Sequence, residues 1–179
     1  MKRGRIHFHI HPFAAAGLFL LFAAMPRAYA FAAVSSVLLH EAGHMLAALL
    51  LDKRVTEIRL MPVGISIGLS AAASYREEFF IAAAGPFMSL LYAGAAFFWL
   101  PQEVGISACS LSLSLAVLNL LPLKTLDGGR MAGALLSRFF GEEASDRVLY
   151  VTTCACLAVL WMLSLYLSLI HISEPTRRS

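Results

Sequence analysis

The sequence is poor in charge. Asp, Glu, Lys and Arg make up 14% of its 179 residues, against roughly 25% in an ordinary soluble domain, which excludes a mostly water-facing globular surface. It also lacks a basic patch. Its 14 Lys and Arg residues are scattered between apolar stretches, whereas a partner with a phosphate backbone needs clustered cations, so no nucleic acid partner is expected. Cysteine is scarce, and Cys109, Cys154 and Cys156 form no CxxC pair, so they read as small core residues and not as metal-binding thiolates. No internal repeat is present. Hydrophobic residues are abundant, at 59% of the chain, and the lipid bilayer is the solvent that suits such a composition.

Five apolar segments, at about 10–26, 29–51, 79–100, 104–123 and 148–170, have the roughly 17 to 25 residues that a membrane helix requires. The basic-then-apolar start, MKRGRIHFHIHPF, resembles a signal peptide, but no clean cleavage site follows beyond a weak Ala-Tyr-Ala at 28–30, and it reads as an uncleaved first span. Between the second and third segments, RVTEIRLMPVGISIGLS carries β-branched residues with Pro62, Gly64 and Gly68, which suits short strands or a re-entrant hairpin more than a helix. Between the fourth and fifth, Leu135, Leu136, Phe139 and Phe140 can give an interfacial helix its apolar face. The expected fold is an all-α multi-pass membrane bundle whose second, third and fourth spans form a catalytic core, with this strand-like insertion.

Lys and Arg counts in the successive connections run 3 (Lys2, Arg3, Arg5), 1 (Arg27), 4 (Lys53, Arg54, Arg59, Arg76), 0 around Pro101, and 4 (Lys124, Arg130, Arg138, Arg147). Cytoplasmic connections are the ones enriched in such residues. The alternation therefore predicts a cytoplasmic N-terminus and second and fourth spans that run from outside to inside. At the other end, LSLIHISEPTRRS resembles the translated read-through of a sequencing adapter. The functional domain is accordingly expected at 1–166, residues from about Leu167 onward are set apart together with His171 and Glu174, and the natural chain is expected to continue differently.

The strongest chemical signal is His40-Glu41-Ala42-Gly43-His44. Helical residues four apart share a face, so the two imidazoles can converge on one zinc ion with Glu41 beside them as general base. A five-residue pattern also occurs by chance, and its setting is what sharpens it. Each ionisable side chain at the centre of a membrane helix costs about 2.5 to 3.5 kcal/mol on insertion scales, and here three fall within five residues of an apolar span. A catalytic zinc site needs a third protein ligand and an open position. Asp52, Glu57, Glu77, Glu78, Glu103 and the acidic cluster at 142–146 lie in charged connectors, where a solvated face is the ordinary reading. Asp127 directly follows the fourth span, before Gly128 and Gly129, on the side where His44 also lies. It can reach the metal, and a helix cap or turn carboxylate is its other reading.

HEAGH in one apolar segment, followed by Asn119-Leu-Leu-Pro122-Leu-Lys-Thr-Leu126-Asp127-Gly128, resembles the site-2 protease family of intramembrane zinc metalloproteases. The opening FHIHPF, the LMPVG loop and the AAGP segment at 83–86 are similar to its sporulation branch. The resemblance runs from about Ile6 to at least Arg130. It implies zinc on His40, His44 and Asp127, Glu41 as the catalytic carboxylate, and Asn119 and Pro122 shaping the substrate groove. It also implies a membrane-associated protein substrate, a pro-sigma factor in the sporulation branch, with inhibitory membrane proteins as partners. Ser89 stands where many relatives carry Asn after the Gly-Pro pair, Thr125 stands where Pro is frequent, and the nucleotide-sensing module of the sporulation enzymes is not part of this sequence.

Several other polar or ring-bearing residues have plainer readings. His7, His9 and His11 alternate at extended spacing and read as interfacial histidines, since no carboxylate or cysteine accompanies them. Gly85 and Pro86 read as permitting close packing and a bend, and Tyr92 and Trp99 as bundle or interface anchors. The competing functional class is a non-catalytic metal-binding membrane protein or zinc carrier. It would not need Glu41, and it would spread ligands along a path across the bundle, whereas these gather at one level.

Overall fold

The computed structural model describes residues 7–10, 12–53, 55–61, 64–69 and 72–173. His11, Pro62, Val63 and Glu174, and Lys2, Arg3, Arg5 and Arg54 of the charge count, lie outside these residues. Among the described residues the chain order is β1 (His7–Ile10), α1 (Pro12–Ala24), α2 (Arg27–Leu50), β2 (Val55–Met61), β3 (Gly64–Leu69), α3 (Tyr75–Trp99), α4 (Gln102–Asn119), α5 (Asp127–Phe140) and α6 (Glu142–Ser173).

Local chemistry explains where the helices start and stop. Pro26 and Pro101 stand immediately before α2 and α4, where a residue with fixed φ and no N–H ends one element without harming the next. At the start of α3 the Ser74 hydroxyl accepts from the Glu77 N–H at 3.4 Å, and the Glu77 carboxylate accepts from the Ser74 N–H at 2.7 Å. This reciprocal capping box satisfies two of the donors that a helix start leaves unpaired. Gly141, at φ 83°, closes α5 in backbone space that suits glycine.

The bundle packs the opposite way from a water-soluble protein. Among the described residues most buried positions are small: Ala30, Ala32, Ala48, Ala82, Ala93, Ala96, Ala108 and Ala116, with Ser36, Ser89 and Ser112 fully buried among them. Large side chains such as Phe87, Phe97, Phe98, Trp99, Val117, Trp161 and Tyr166 point outward and are exposed. Small residues let helix backbones approach closely where lipid offers no hydrophobic drive for association, and the buried hydroxyls bond across or along helices. Ser112 donates to Ser36 at 2.8 Å, tying α4 to α2. Ser35 and Tyr92 pair at 2.8 Å, tying α2 to α3. The mutual contacts of α2, α3 and α4 dominate the interior, so the expected three-helix core is present, with α5 packed against α3 and α6 against α5.

The strand-like insertion is a β-hairpin, and it has a third strand. β2 and β3 pair antiparallel, with Ile58 opposite Ile67, and β1 joins β2 in parallel, with His7 opposite Glu57. The strand order β1-β2-β3 leaves β3 at an edge. This sheet corrects the reading of the N-terminal histidines as lacking a carboxylate, because it brings His9 Nε2 within 3.6 Å of Glu57.

Length and composition single out some of the expected spans. Among the described residues, three helices are long and apolar enough to cross a membrane, namely α2, α3 and the Glu142–Leu169 stretch of α6. α1 has only 13 residues. α4 has 18 but carries Ser107, Ser110, Ser112 and Ser114 with Gln102, Glu103 and Asn119. The segment expected to form a helix after the fourth span is α5, with Leu135, Phe139 and Phe140 exposed.

Candidate metal centre

The last turns of α2 and the first residue of α5 build one cluster. His40 and His44 lie one helical turn apart on the buried face of α2, as the i, i+4 spacing dictates. Asp127 opens α5, where a carboxylate complements the helix dipole. The chain can bring it there because α5 starts in a tight corner. A Cβ at Gly129 would overlap the Leu123 carbonyl, and one at Gly128 the Leu120 carbonyl. All three side chains are buried, His40 at 4%, His44 at 6% and Asp127 at 6% exposure.

The donor atoms form a triangle. His40 Nε2 lies 3.1 Å from Asp127 Oδ2, His44 Nε2 lies 3.2 Å from the same oxygen, and the two Nε2 atoms are 3.3 Å apart. His44 Nδ1 sits 2.7 Å from the Ile81 carbonyl. A carbonyl only accepts, so Nδ1 carries the proton and the Nε2 of a neutral His44 presents a lone pair to the triangle. His40 Nδ1 is held by the Ser89 hydroxyl at 2.9 Å, which leaves its Nε2 facing inward as well. Extra protons could satisfy the two edges to Asp127 but not the edge between the nitrogens. A cation satisfies all three. For zinc about 2.0 to 2.1 Å from each ligand in tetrahedral geometry, ligand atoms stand about 3.3 to 3.4 Å apart, close to the spacing found. Among the described residues this is the one cluster of three or more His, Cys, Asp or Glu side chains arranged to hold a metal.

Electrostatics agree. Burial raises the Asp127 carboxyl, but where His40 and His44 are protonated their hydrogen bonds and charges outweigh it and hold the group below the ordinary carboxylate range, and a cation between the three atoms would take the place of those protons. The carboxyl is therefore ionised at neutral pH, the form that binds metal.

α3 supplies no ligand, yet it touches the whole cluster. Ile81 and Ser89 hold the two imidazoles, and Gly85 between them leaves the space His44 occupies, since a Cβ there would overlap its ring. Pro86 removes one rung of the helix ladder in this stretch. Glu78, expected on a solvated face, instead pairs with Arg130, which also reaches Asp127. As supports of the cluster, Ser89, Ile81, Glu78 and Arg130 escaped the sequence reading because Ser89, Ile81 and Glu78 act on partners in other helices. The available clue was the Gly85–Pro86 pair followed by a buried serine.

The remaining expected site residues are placed as follows. Glu41 is half-buried beside His40 and lies close enough to His44 for its charge to act on it. Asn119 ends α4 and donates its amide to the Leu115 carbonyl at 2.9 Å, so in this structure it is turned along its own helix. Pro122 lies half-buried in the corner between α4 and α5.

This arrangement of two histidines from a membrane helix and an aspartate from a following helix coincides with a family match. Residues 13–168 match the model of the peptidase M50B-like family. The chain belongs to that family. Among curated proteins, stage IV sporulation protein FB of Bacillus subtilis (strain 168) is 30% identical over 168 residues, covering 87% of this chain and 57% of that protein. A zinc metalloprotease of Methanocaldococcus jannaschii is 30% identical over 122 residues, covering 63% of this chain and 35% of its own length. The chain thus spans little more than half of one relative and about a third of the other. A solved structure, the site-2 protease from Methanocaldococcus jannaschii, superposes with a TM-score of 0.68 at 24% identity, over 96% of this chain and 86% of that one. The M50B-like chain therefore has the site-2 protease fold, and its apolar helices mark it as a membrane protein.

Proposed function

We propose that this chain is a zinc metalloendopeptidase that hydrolyses a peptide bond in or near a membrane-associated segment of a protein substrate. The observation that carries the reading is the convergence of three lone-pair donors, His40 Nε2, His44 Nε2 and Asp127 Oδ2, at 3.1–3.3 Å from one another in a buried site. When bound there, zinc supplies Lewis acidity to the scissile carbonyl and makes water more acidic. Glu41, next to His40 on α2, takes the proton of the attacking water and later passes it to the leaving amine, the ordinary two-way use of a general base. The Ile81 carbonyl fixes the tautomer of His44, and together with the Ser89 hydroxyl on His40 it holds the aim of the imidazoles.

A substrate helix must unwind before its peptide bonds become available, since they are shielded by their own hydrogen bonds. The free edge of β3 is suited to receive the unwound segment by strand addition, and Asn119 and Pro122 line its further course. Replacing Ile67, in the middle of β3, by Pro is expected to stop cleavage while zinc stays bound, and normal cleavage would refute the strand-addition reading. The segments on the site's side of the bundle hold Lys53, Arg59, Arg76, Lys124 and Arg130, and the turn at Pro101 holds no Lys or Arg. By the positive-inside rule this supports a cytoplasmic site and N-terminus. The similarity to a sporulation protein supports a membrane-associated pro-sigma factor as substrate, with membrane proteins acting as inhibitors.

The test is cleavage of a co-expressed, tagged, membrane-tethered pro-sigma factor by the parent chain and by its Glu41→Gln variant at equal membrane levels. The parent is expected to cleave. The variant should lose at least a hundredfold in rate, about the least expected from removing a general base. Equal cleavage by both would assign the activity to the host and sink the mechanism.

A further inference from the structure

The two oxygens of Asp127 have different partners. Oδ2 faces both imidazoles, at 3.1 and 3.2 Å. Oδ1 accepts from Arg130 Nη1 at 3.4 Å, one turn along α5. Arg130 in turn is anchored on the other side of an interhelical contact: its Nε donates to Glu78 Oε1 at 2.9 Å and its Nη2 stands 2.8 Å from the same oxygen. The guanidinium is planar with donors in a rigid fork, so seating Nε and Nη2 on Glu78 also determines where Nη1 points.

Glu78 belongs to a row on α3. Glu78, Ile81, Gly85 and Ser89 fall at i, i+3, i+7 and i+11, one face of a helix. Ser89 holds His40, Ile81 holds His44, Gly85 gives the His44 ring its space, and Glu78 reaches Asp127 through Arg130. One helix that offers no ligand thus orients all three. The first three contacts fix the imidazoles on α2. The Glu78–Arg130 pair is what relates the carboxylate on α5 to the same frame.

We propose that Arg130, seated on Glu78, is a positioning residue for the metal centre: it occupies Asp127 Oδ1 so that Oδ2 alone is presented to the ion, and it sets metal affinity without touching metal or substrate. This rests on the metal reading of His40, His44 and Asp127. Outer partners of metal ligands are worth about 10- to 100-fold in metal affinity, and a half-buried guanidinium held by three contacts belongs in that class. The exposed pair Lys124–Asp146, at 2.9 Å with side chains 50% and 67% exposed, provides a comparison, because such a pair contributes little.

The experiment measures zinc affinity of the purified full chain in detergent by competition with a chromogenic chelator. The variants are Arg130→Gln, Arg130→Lys, Glu78→Gln, the double Arg130→Gln/Glu78→Gln, and Lys124→Gln, with His40→Ala marking the loss of the site. Arg130→Gln and Glu78→Gln should each weaken zinc binding by about 10- to 100-fold. The double variant should be no weaker than Arg130→Gln alone, because Glu78 acts only through Arg130. Arg130→Lys should recover part of the loss, since it keeps the charge but not the fork, and Lys124→Gln should bind like the parent. Glu78→Gln leaves α5 untouched, so a weakened site there cannot be attributed to damage within that helix. Affinities within twofold of the parent in both single variants, or additive losses in the double, overturn the proposal while the metal centre stands. A parent chain that binds no more zinc than His40→Ala overturns the metal reading itself.

Discussion

Helices α2 and α6 are both long and apolar enough to cross a membrane, but they are built for different tasks. Of its most apolar stretch α2 buries 28%, whereas α6 buries 6%. α2 carries His40, Glu41 and His44 in that environment, and the two imidazoles are matched by Ser89, the Ile81 carbonyl and Asp127. The apolar length of α6 after Arg147 holds no acidic or basic residue up to Leu169, and Val159, Trp161, Met162 and Tyr166 are exposed along it. The difference teaches where sequence constraint is concentrated. A polar group within apolar surroundings is costly unless partnered, so every residue contacting the α2 cluster is constrained in shape and chemistry, while the exposed face of α6 needs only to remain helical and apolar.

That contrast can be broken most severely at Gly85. Replacing it by Ala puts a Cβ into the His44 ring, and the expected result is loss of bound zinc by elemental analysis. Gly94→Ala on the same helix, where nothing lies within 4 Å, should leave zinc content unchanged. A Gly85→Ala chain with full zinc would refute the claim that α3 shapes the site. Next in size is Ser89→Ala, which removes the hydroxyl partner of His40 and should weaken zinc binding about tenfold, near the lower end for an outer partner. Titration with a competing chelator reads it, and an unchanged affinity would show that His40 needs no such support. Smallest is Trp161→Leu on α6, which should alter zinc affinity less than twofold and stability by no more than about 0.5 kcal/mol. A large effect there would mean that α6 communicates with the centre.

The same contrast explains what could be read from the sequence. The clustering of His40 and His44 was legible because they share a helical face, whereas the position of Asp127 after an apolar run left a helix-cap reading open and the resemblance to the site-2 proteases favoured the cluster. The hairpin was legible from Gly64, Gly68 and the β-branched residues around them. Strand β1 was not assigned to a sheet, since its pairing partner Glu57 lies 50 residues from His7 and parallel pairing leaves no local signature. Of the five expected spans, α2, α3 and α6 are long and apolar enough to cross a membrane by length and composition alone, whereas hydropathy gave no sign that the helix of the first segment, α1, has 13 residues. The supporting set, Ser89, Ile81, Glu78 and Arg130, depends on the register of α3 against α2 and α5. That register follows from the packing of small residues such as Ala82, Gly85 and Ser89, whose local sequence says only that helices can come close.

The central claim is that one zinc ion is held by two imidazoles from α2 and one carboxylate from α5. X-ray absorption at the zinc edge of the purified, zinc-loaded chain tests it most directly, with His44→Ala and Asp127→Ala as references. The expected result is one zinc per chain, nitrogen and oxygen neighbours at about 2.0 to 2.2 Å, scattering from two imidazoles in the parent, and loss of the bound ion in either variant. A sulfur neighbour at about 2.3 Å, or an unchanged zinc spectrum in His44→Ala, would contradict it.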